Sequence, residues 1–186
     1  FLNKLFEELT DSLTQKEKYL ISSNVKNMLT AFDNRYYDFL GEIAALNNLI
    51  KSKSYRLESI EEEISNGKTI DFKLRKISTN SFLLIEIYNI HVNNDRVDAN
   101  PDLIRKFLEN RLSKKLEQKK VGLTSDVDFF LIPVIWGGWK DLKIYSEFFK
   151  TNKLNLKNVI EPLSYLTFSD NKGYYQHHFK TISNLF

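Results

Sequence analysis

Residues 69–92, TIDFKLRKISTNSFLLIEIYNIHV, decide how the fold of this chain is interpreted. Two arms rich in Ile, Phe, Leu and Tyr flank Ser-Thr-Asn-Ser at residues 78–81, which predicts two β-strands joined by a tight turn. Asp71 lies in the first arm and Glu86 lies in the middle of the second, both among apolar neighbours. An ionised carboxylate removed from water is costly unless a partner pairs with it or binds it, and a metal ion is one such partner.

A third strand is predicted immediately before this pair. Residues 55–61, YRLESIE, alternate apolar and polar side chains, which is the period of a half-buried strand, and Asn-Gly at 66–67 favours a turn. We therefore expect an antiparallel meander of strands at residues 55–61, 69–77 and 82–92.

Side chains alternate across a strand, so Asp71 shares a face with Lys73, and Glu86 shares one with Tyr88. If the two strands pair, both acids can meet at one end of the sheet.

Two helical segments are predicted before the strands. Residues 2–32 carry leucines at four-residue spacing and are expected to form a helical cap. In the next helix, residues 35–51, Glu42 lies within about 60° of the apolar stripe and is expected to point inward. Alternatively, Glu42 lies at the edge of the stripe and extends to solvent or pairs with a lysine.

A longer helix is predicted at residues 101–120, where Asn-Pro-Asp provides an N-cap, a proline in the first turn and an acid. Continuing the rotation from Ile104 places Arg111, Lys115 and Gln118 within about 40° of it, on the predicted inward stripe. Alternatively, the long stems cover the sheet edge and send their charged heads to solvent.

The C-terminal third adds a continuous apolar run at residues 128–136, which is typical of a buried strand parallel to its neighbour. A helix at residues 139–150 follows, and then a strand within 157–168, for which Pro162 favours an edge position. The aromatic and basic tail NKGYYQHHFK can stack on single-stranded bases, although a surface turn with packed tyrosines is the commoner arrangement.

Composition restricts the class of protein. The 186 residues, 42% of them hydrophobic, fit one domain, and 27 basic against 24 acidic residues give a net charge of only +3. Without cysteine there is no thiol chemistry, and no apolar run is long enough to span a bilayer, so we expect a soluble cytoplasmic protein. Because the sequence begins at Phe1 without a secretion signal, we expect that it is trimmed at its N-terminus.

Several chemical motifs are absent from the sequence. It has no glycine-rich phosphate loop, no His-Glu-x-x-His helix and no serine elbow, and its six scattered glycines form no dinucleotide fingerprint.

The predicted order of helix, three strands, helix and strand, with acids in the first helix and in the second and third strands, resembles the PD-(D/E)xK nuclease superfamily. The resemblance covers about residues 35–137. Ile70-Asp71 and Glu86-Ile87-Tyr88 stand at the motif positions, Glu42 stands at the helix acid, Ile70 replaces the usual proline and Tyr88 replaces the usual lysine.

The resemblance implies an α/β, restriction-endonuclease-like fold with a central mixed sheet flanked by helices. Residues 1–34 would form an N-terminal helical extension, 35–137 the core, and 138–186 a C-terminal helix and strand extension, all within one domain.

The resemblance also implies a metal site. Asp71 and Glu86 would bind Mg²⁺, or Mn²⁺, with assistance from Glu42, because Mg²⁺ prefers hard oxygen ligands. The missing lysine would come from Lys73 on the strand or from Lys115 on the long helix, and we favour Lys115 with Gln118 as its companion.

Three functions follow from these patterns. The first is a metal-dependent nuclease that hydrolyses phosphodiester bonds, with DNA as the expected substrate and a homodimer as a form common in related folds. The second is an inactive nuclease-like fold that binds nucleic acid or a protein. The third is an unrelated α/β interaction domain.

Overall fold

The structure, a computed structural model, describes residues 2–30, 35–92, 100–123, 127–169 and 175–186. The described chain contains helices together with a mixed β-sheet, which confirms the predicted α/β class. The helices are α1 Leu2–Ser12, α2 Gln15–Thr30, α3 Arg35–Lys51, α4 Pro101–Lys120 and α5 Trp139–Thr151, with a 3₁₀ helix at Ile182–Asn184. The strands are β1 Tyr55–Glu63, β2 Thr69–Lys76, β3 Phe82–His91, β4 Asp128–Trp136, β5 Leu163–Ser169 and β6 Tyr175–Thr181.

The strands form one mixed sheet in the order β1-β2-β3-β4-β5-β6. β1, β2 and β3 pair antiparallel, which confirms the predicted meander. β4 is the neighbour of β3, as predicted, and the Val92 N–H donates to the Trp136 carbonyl oxygen at 2.8 Å. The C-terminal ends of these two strands therefore meet, as they do in parallel pairs.

The chain divides into two compact units. The first contains Phe1–Ile87 and Lys119–Phe130, and the second contains Tyr88–Gln118 and Leu131–Phe186. The boundary between them runs within β3, α4 and β4, so it differs from the predicted limits of cap, core and extension. The assignment of the whole chain to one domain stays a prediction.

The first unit packs α1 and α2 on α3 and the meander. α3 is rich in small and branched apolar residues and is buried over most of its length, including Ile43 and Leu46. Phe72 on β2 and Ile85 on β3 are fully buried. Each such side chain removed from water contributes about 1.5–3 kcal/mol, so this core fixes the positions of α3, β2 and β3.

The helical character predicted for residues 2–32 is confirmed over the described part of that range, but it is divided into two helices, because the chain breaks between α1 and α2. Glu17 accepts hydrogen bonds from the Thr14 N–H at 2.7 Å and from its hydroxyl at 2.6 Å, while the Glu17 N–H donates back to Thr14. This Thr-x-x-Glu capping box starts a new helix at α2. Residues 31 and 32 of the predicted helix lie outside the described residues.

β1 is irregular in two places. Its pairing with β2 shifts by one residue between Leu57 and Ser59, which leaves Glu58 as the extra residue of a bulge. Glu61 has a φ of 52°, a left-handed conformation that is unusual for a residue with a Cβ. The pairs on either side of it place Glu61 opposite Asp71.

The buried face of α4 differs from the predicted stripe. The observed buried face is rotated about 70° around the helix axis from the predicted stripe, which is therefore wrong. Residues four apart lie about 40° beyond a full turn, so each successive leucine shifts the apolar face further around the helix. Arg111 and Gln118 are exposed and Lys115 is half-buried. The buried residues are Ile104, Leu108, Leu112, Leu116 and Lys119.

In the second unit, β5 pairs with β4 in parallel and with β6 antiparallel. The predicted edge position of the strand after Pro162 is therefore wrong. Pro162 lies just before β5, where its missing N–H removes no ladder bond, and its carbonyl oxygen accepts from Ile182 at 2.8 Å. Most of the tail expected as a surface turn is β6, and residues 171–174 lie outside the described residues.

Candidate active site

Three acids of the first unit lie on elements that the core holds in place. Glu42 is on α3, Asp71 on β2 and Glu86 on β3. Lys73 and Leu84 are paired across β2 and β3 and therefore share a face of the sheet. Alternation along each strand places Asp71 on the face of Lys73 and Glu86 on the face of Leu84. The two strand acids are therefore on the same side of the sheet.

Asp71 is held by the neighbouring strand. Its Oδ2 accepts a hydrogen bond from the Ile87 N–H at 2.6 Å, and its side chain is half-buried. Because β2 and β3 separate after the Phe72–Ile85 pair, the carboxylate takes the place of a backbone acceptor there. Asp71 is thus oriented by the backbone of the strand that carries Glu86.

Glu86 is the most deeply buried acid, with 2% of its surface exposed. Its Oε1 lies 2.9 Å from Nζ of Lys119, which is itself 9% exposed. The same ammonium donates to the Thr69 carbonyl oxygen at the start of β2. Burying a carboxylate is costly unless a counter-charge and hydrogen bonds compensate it, and Lys119 supplies both to Glu86.

Lys119 was missed by the sequence analysis, although the sequence contains a signal for it. Leu108, Leu112 and Leu116 define the apolar face of α4, and the next residue on that face is Lys119. Gly122 follows the helix, and its carbonyl oxygen accepts from the N–H and hydroxyl of Ser65 at 3.2 and 2.9 Å. This contact holds the end of α4 against the end of β1.

Glu42 carries the strongest electrostatic perturbation of the group. Its pKa is raised to about 8, chiefly by burial and then by the negative charges of Asp71, Asp38, Glu86 and Glu61 in that order. Glu42 is therefore mostly protonated at neutral pH, because its ionised form would lie among like charges. Asp38 and Glu61 belong to this acidic group and were also missed.

Two of the other predicted residues have contacts of their own. Lys73 Nζ pairs with Glu62 at 2.6 Å and lies 5.0 Å from the centre of the Phe82 ring. Lys115 and Gln118 belong to the second unit, where Lys115 Nζ lies 5.5 Å from the centre of the Tyr88 ring.

All the donors are carboxylate oxygens, which are the hard ligands that divalent cations such as Mg²⁺ prefer. A bound cation would also offset the burial and the repulsion that raise the pKa of Glu42. In the described ranges, however, no group of three or more acidic, histidine or cysteine side chains is arranged to hold a metal ion as it stands. Binding would therefore require the Glu42 and Asp71 side chains to reorient around Glu86.

Comparison with known proteins gives no match, either to a family model or to a curated protein. Within the described part of the chain, none of the helices has the length and apolar character required to cross a membrane.

Proposed function

We propose that the chain has a restriction-endonuclease-like fold and is a metal-dependent nuclease that hydrolyses phosphodiester bonds, with DNA as substrate. The observation that carries the proposal is the grouping of Glu42, Asp71 and Glu86 with a buried lysine that pairs with Glu86. Metal-assisted phosphodiester hydrolysis needs carboxylates that hold the ion and a positive charge near the phosphate. Here α3, β2 and β3 each carry one of the three carboxylates, and α4 carries the ammonium.

In this proposal Asp71, Glu86 and Glu42 would hold Mg²⁺ or Mn²⁺. When bound, the ion would lower the pKa of a bound water and offset negative charge on the phosphate. Lys119 replaces Lys115 as the lysine that we propose, because its ammonium already contacts Glu86. It would stabilise negative charge developing on the phosphate oxygens, a role that Tyr88 cannot fill.

Asp71→Asn and Glu86→Gln are each expected to lower the cleavage rate by about 100-fold or more, because each removes a charged metal ligand. The measurement is cleavage of single- and double-stranded DNA and RNA in Mg²⁺ and in Mn²⁺. Glu63→Gln, which neutralises an exposed acid on β1, is the control. Residual activity that is equal in parent and both variants would show a contaminating nuclease and contradict the proposal.

Lys73→Met is expected to change the cleavage rate by no more than about threefold, because the Lys73 ammonium forms a partly exposed ion pair with Glu62. The same assay measures it. A loss as large as that of Asp71→Asn would move the catalytic lysine to β2.

A second function is favoured by the Lys119–Glu86 pair itself. The ammonium already supplies a positive charge to Glu86, and the described acids are not preassembled around an ion. A binding module with this fold would need no metal. Thermal unfolding separates the two functions, because a ligand that binds only the folded state raises the melting temperature. Mg²⁺ or Mn²⁺ should raise it in the parent and not in Asp71→Asn.

A further inference from the structure

An apolar groove lies in the second unit between the first turns of α4 and the length of α5. It has a volume of about 750 Å³, which is within the range of small-ligand sites. Ile104, Ile144 and Phe148 contribute apolar side chains to it. Trp139 also lines the groove and keeps 52% of its surface exposed, a large fraction for this residue type.

Trp139 is held in position and is not a loose surface side chain. Its ring packs edge to face with Phe186, with the ring centres 4.7 Å apart. Such aromatic pairs contribute about 0.5–1.5 kcal/mol beyond simple burial, which favours this orientation of the indole. The groove therefore presents a partly exposed aromatic surface beside its apolar side chains.

The groove also has a net positive charge. Lys140 and Lys143 line it and are exposed, and its acid, Glu147, lies 2.9 Å from Lys150 and also interacts with Lys143. The nearby Asp141 accepts from the backbone at the start of α5 and serves as its cap. Since residues three apart on a helix are neighbours, about 5–6 Å between Cβ atoms, the two lysines form one cationic edge.

We propose that this groove binds an unpaired stretch of nucleic-acid strand, with a base against Trp139 and phosphates along Lys140 and Lys143. Base stacking on an aromatic ring together with cations that follow the backbone is how single strands are bound without sequence preference. The inference rests on the proposed function. It identifies an unpaired strand as the part of the substrate that the second unit contacts. An acidic peptide with apolar side chains is the competing occupant. Binding such a peptide would not require a flat, exposed indole next to Lys140 and Lys143.

The test is the affinity of the chain for a fluorescein-labelled oligothymidylate, measured by anisotropy in EDTA so that no cleavage occurs. Trp139→Ala is expected to weaken binding about tenfold, and Trp139→Phe should restore most of the loss. The double variant Lys140→Ser/Lys143→Ser should also weaken binding about tenfold and reduce the salt dependence, because two phosphate contacts are lost. An oligonucleotide without bases should bind the parent and Trp139→Ala equally.

A matched control removes two lysines from the first unit. Lys16→Ser/Lys26→Ser on α2 lowers the net charge by the same amount and should change the affinity by less than about threefold. A general electrostatic attraction would give equal losses in both double variants, which would overturn the proposal. Displacement of the oligonucleotide by an acidic leucine-containing peptide that binds more tightly would also overturn it in favour of a protein partner.

The groove and the proposed nuclease can fail separately. If the groove variants bind the oligonucleotide as the parent does while Asp71→Asn abolishes cleavage, the groove inference is wrong and the nuclease stands. If the groove variants lose binding and no metal supports cleavage, the groove inference stands and the chain is a binding module.

Discussion

Lys119→Met is expected to lower the unfolding free energy by about 3 kcal/mol and to reduce the cleavage rate by about 100-fold or more. The stability loss follows because the substitution leaves the carboxylate of Glu86, 2% exposed, without the ammonium 2.9 Å away. The rate loss follows because that ammonium is the proposed positive charge beside the phosphate. Urea unfolding in EDTA measures the first effect and the nuclease assay measures the second.

Two further variants keep this prediction testable if Lys119→Met folds poorly. In Glu86→Gln/Lys119→Met both charges of the buried pair are removed, so the double variant should be more stable than Lys119→Met alone. Lys115→Met is the matched lysine variant on the same helix and should retain most of the activity, because Lys115 contacts Tyr88. Loss of activity in Lys115→Met with full activity in Lys119→Met would return the catalytic role to Lys115.

Glu42→Gln is expected to change how stability depends on pH. The folded pKa of Glu42 is raised from 4.5 to about 8, so below its unfolded pKa the carboxyl is protonated in both states and costs nothing. As pH rises from there towards the folded pKa, the unfolded chain releases the proton more readily and stability falls. Above the folded pKa the full cost is present. A loss of about 3 kcal/mol in the parent is therefore expected across this range, allowing for relaxation around the charge.

The measurement is urea unfolding of parent and Glu42→Gln in EDTA at about pH 4 and about pH 9. The variant should match the parent at the lower pH and exceed it by about 3 kcal/mol at the higher pH. Glu63→Gln, at an exposed position on β1, should keep the parent's pH dependence. A parallel decline in parent and Glu42→Gln would show that Glu42 does not lie among like charges.

The fold was largely predictable because its elements have strong local signals. The apolar arms of β2 and β3, the Asn-Pro-Asp start of α4 and the continuous apolar run of β4 all gave boundaries within one or two residues of those observed. The break between α1 and α2 was missed because a capping box at Thr14 interrupts leucine spacing that otherwise continues. β6 was missed because its sequence is polar and aromatic, and only its pairing with β5 makes it a strand.

The site was predictable where it depends on strand alternation and not where it depends on helix rotation. Alternation places Asp71 on the face of Lys73 and Glu86 on the face of Leu84, and Lys73 and Leu84 are paired in the structure. On α4 the predicted rotation differs by about 70° from the observed one, so Lys115 and Gln118 were placed on the buried face, which Lys119 occupies. Glu61 has no local signal, because its place opposite Asp71 depends on the one-residue shift earlier in β1.

The extra residue at Glu58 lies between two runs of β1 whose pairing with β2 is regular on each side. Leu57 pairs with Leu74 before it, and Ser59 pairs with Lys73, the next position of β2, after it. Deleting Glu58 would close the bulge and leave these pairs as they are, with Glu61 still opposite Asp71. Chains of this type should therefore tolerate both many side chains at position 58 and the loss of that position.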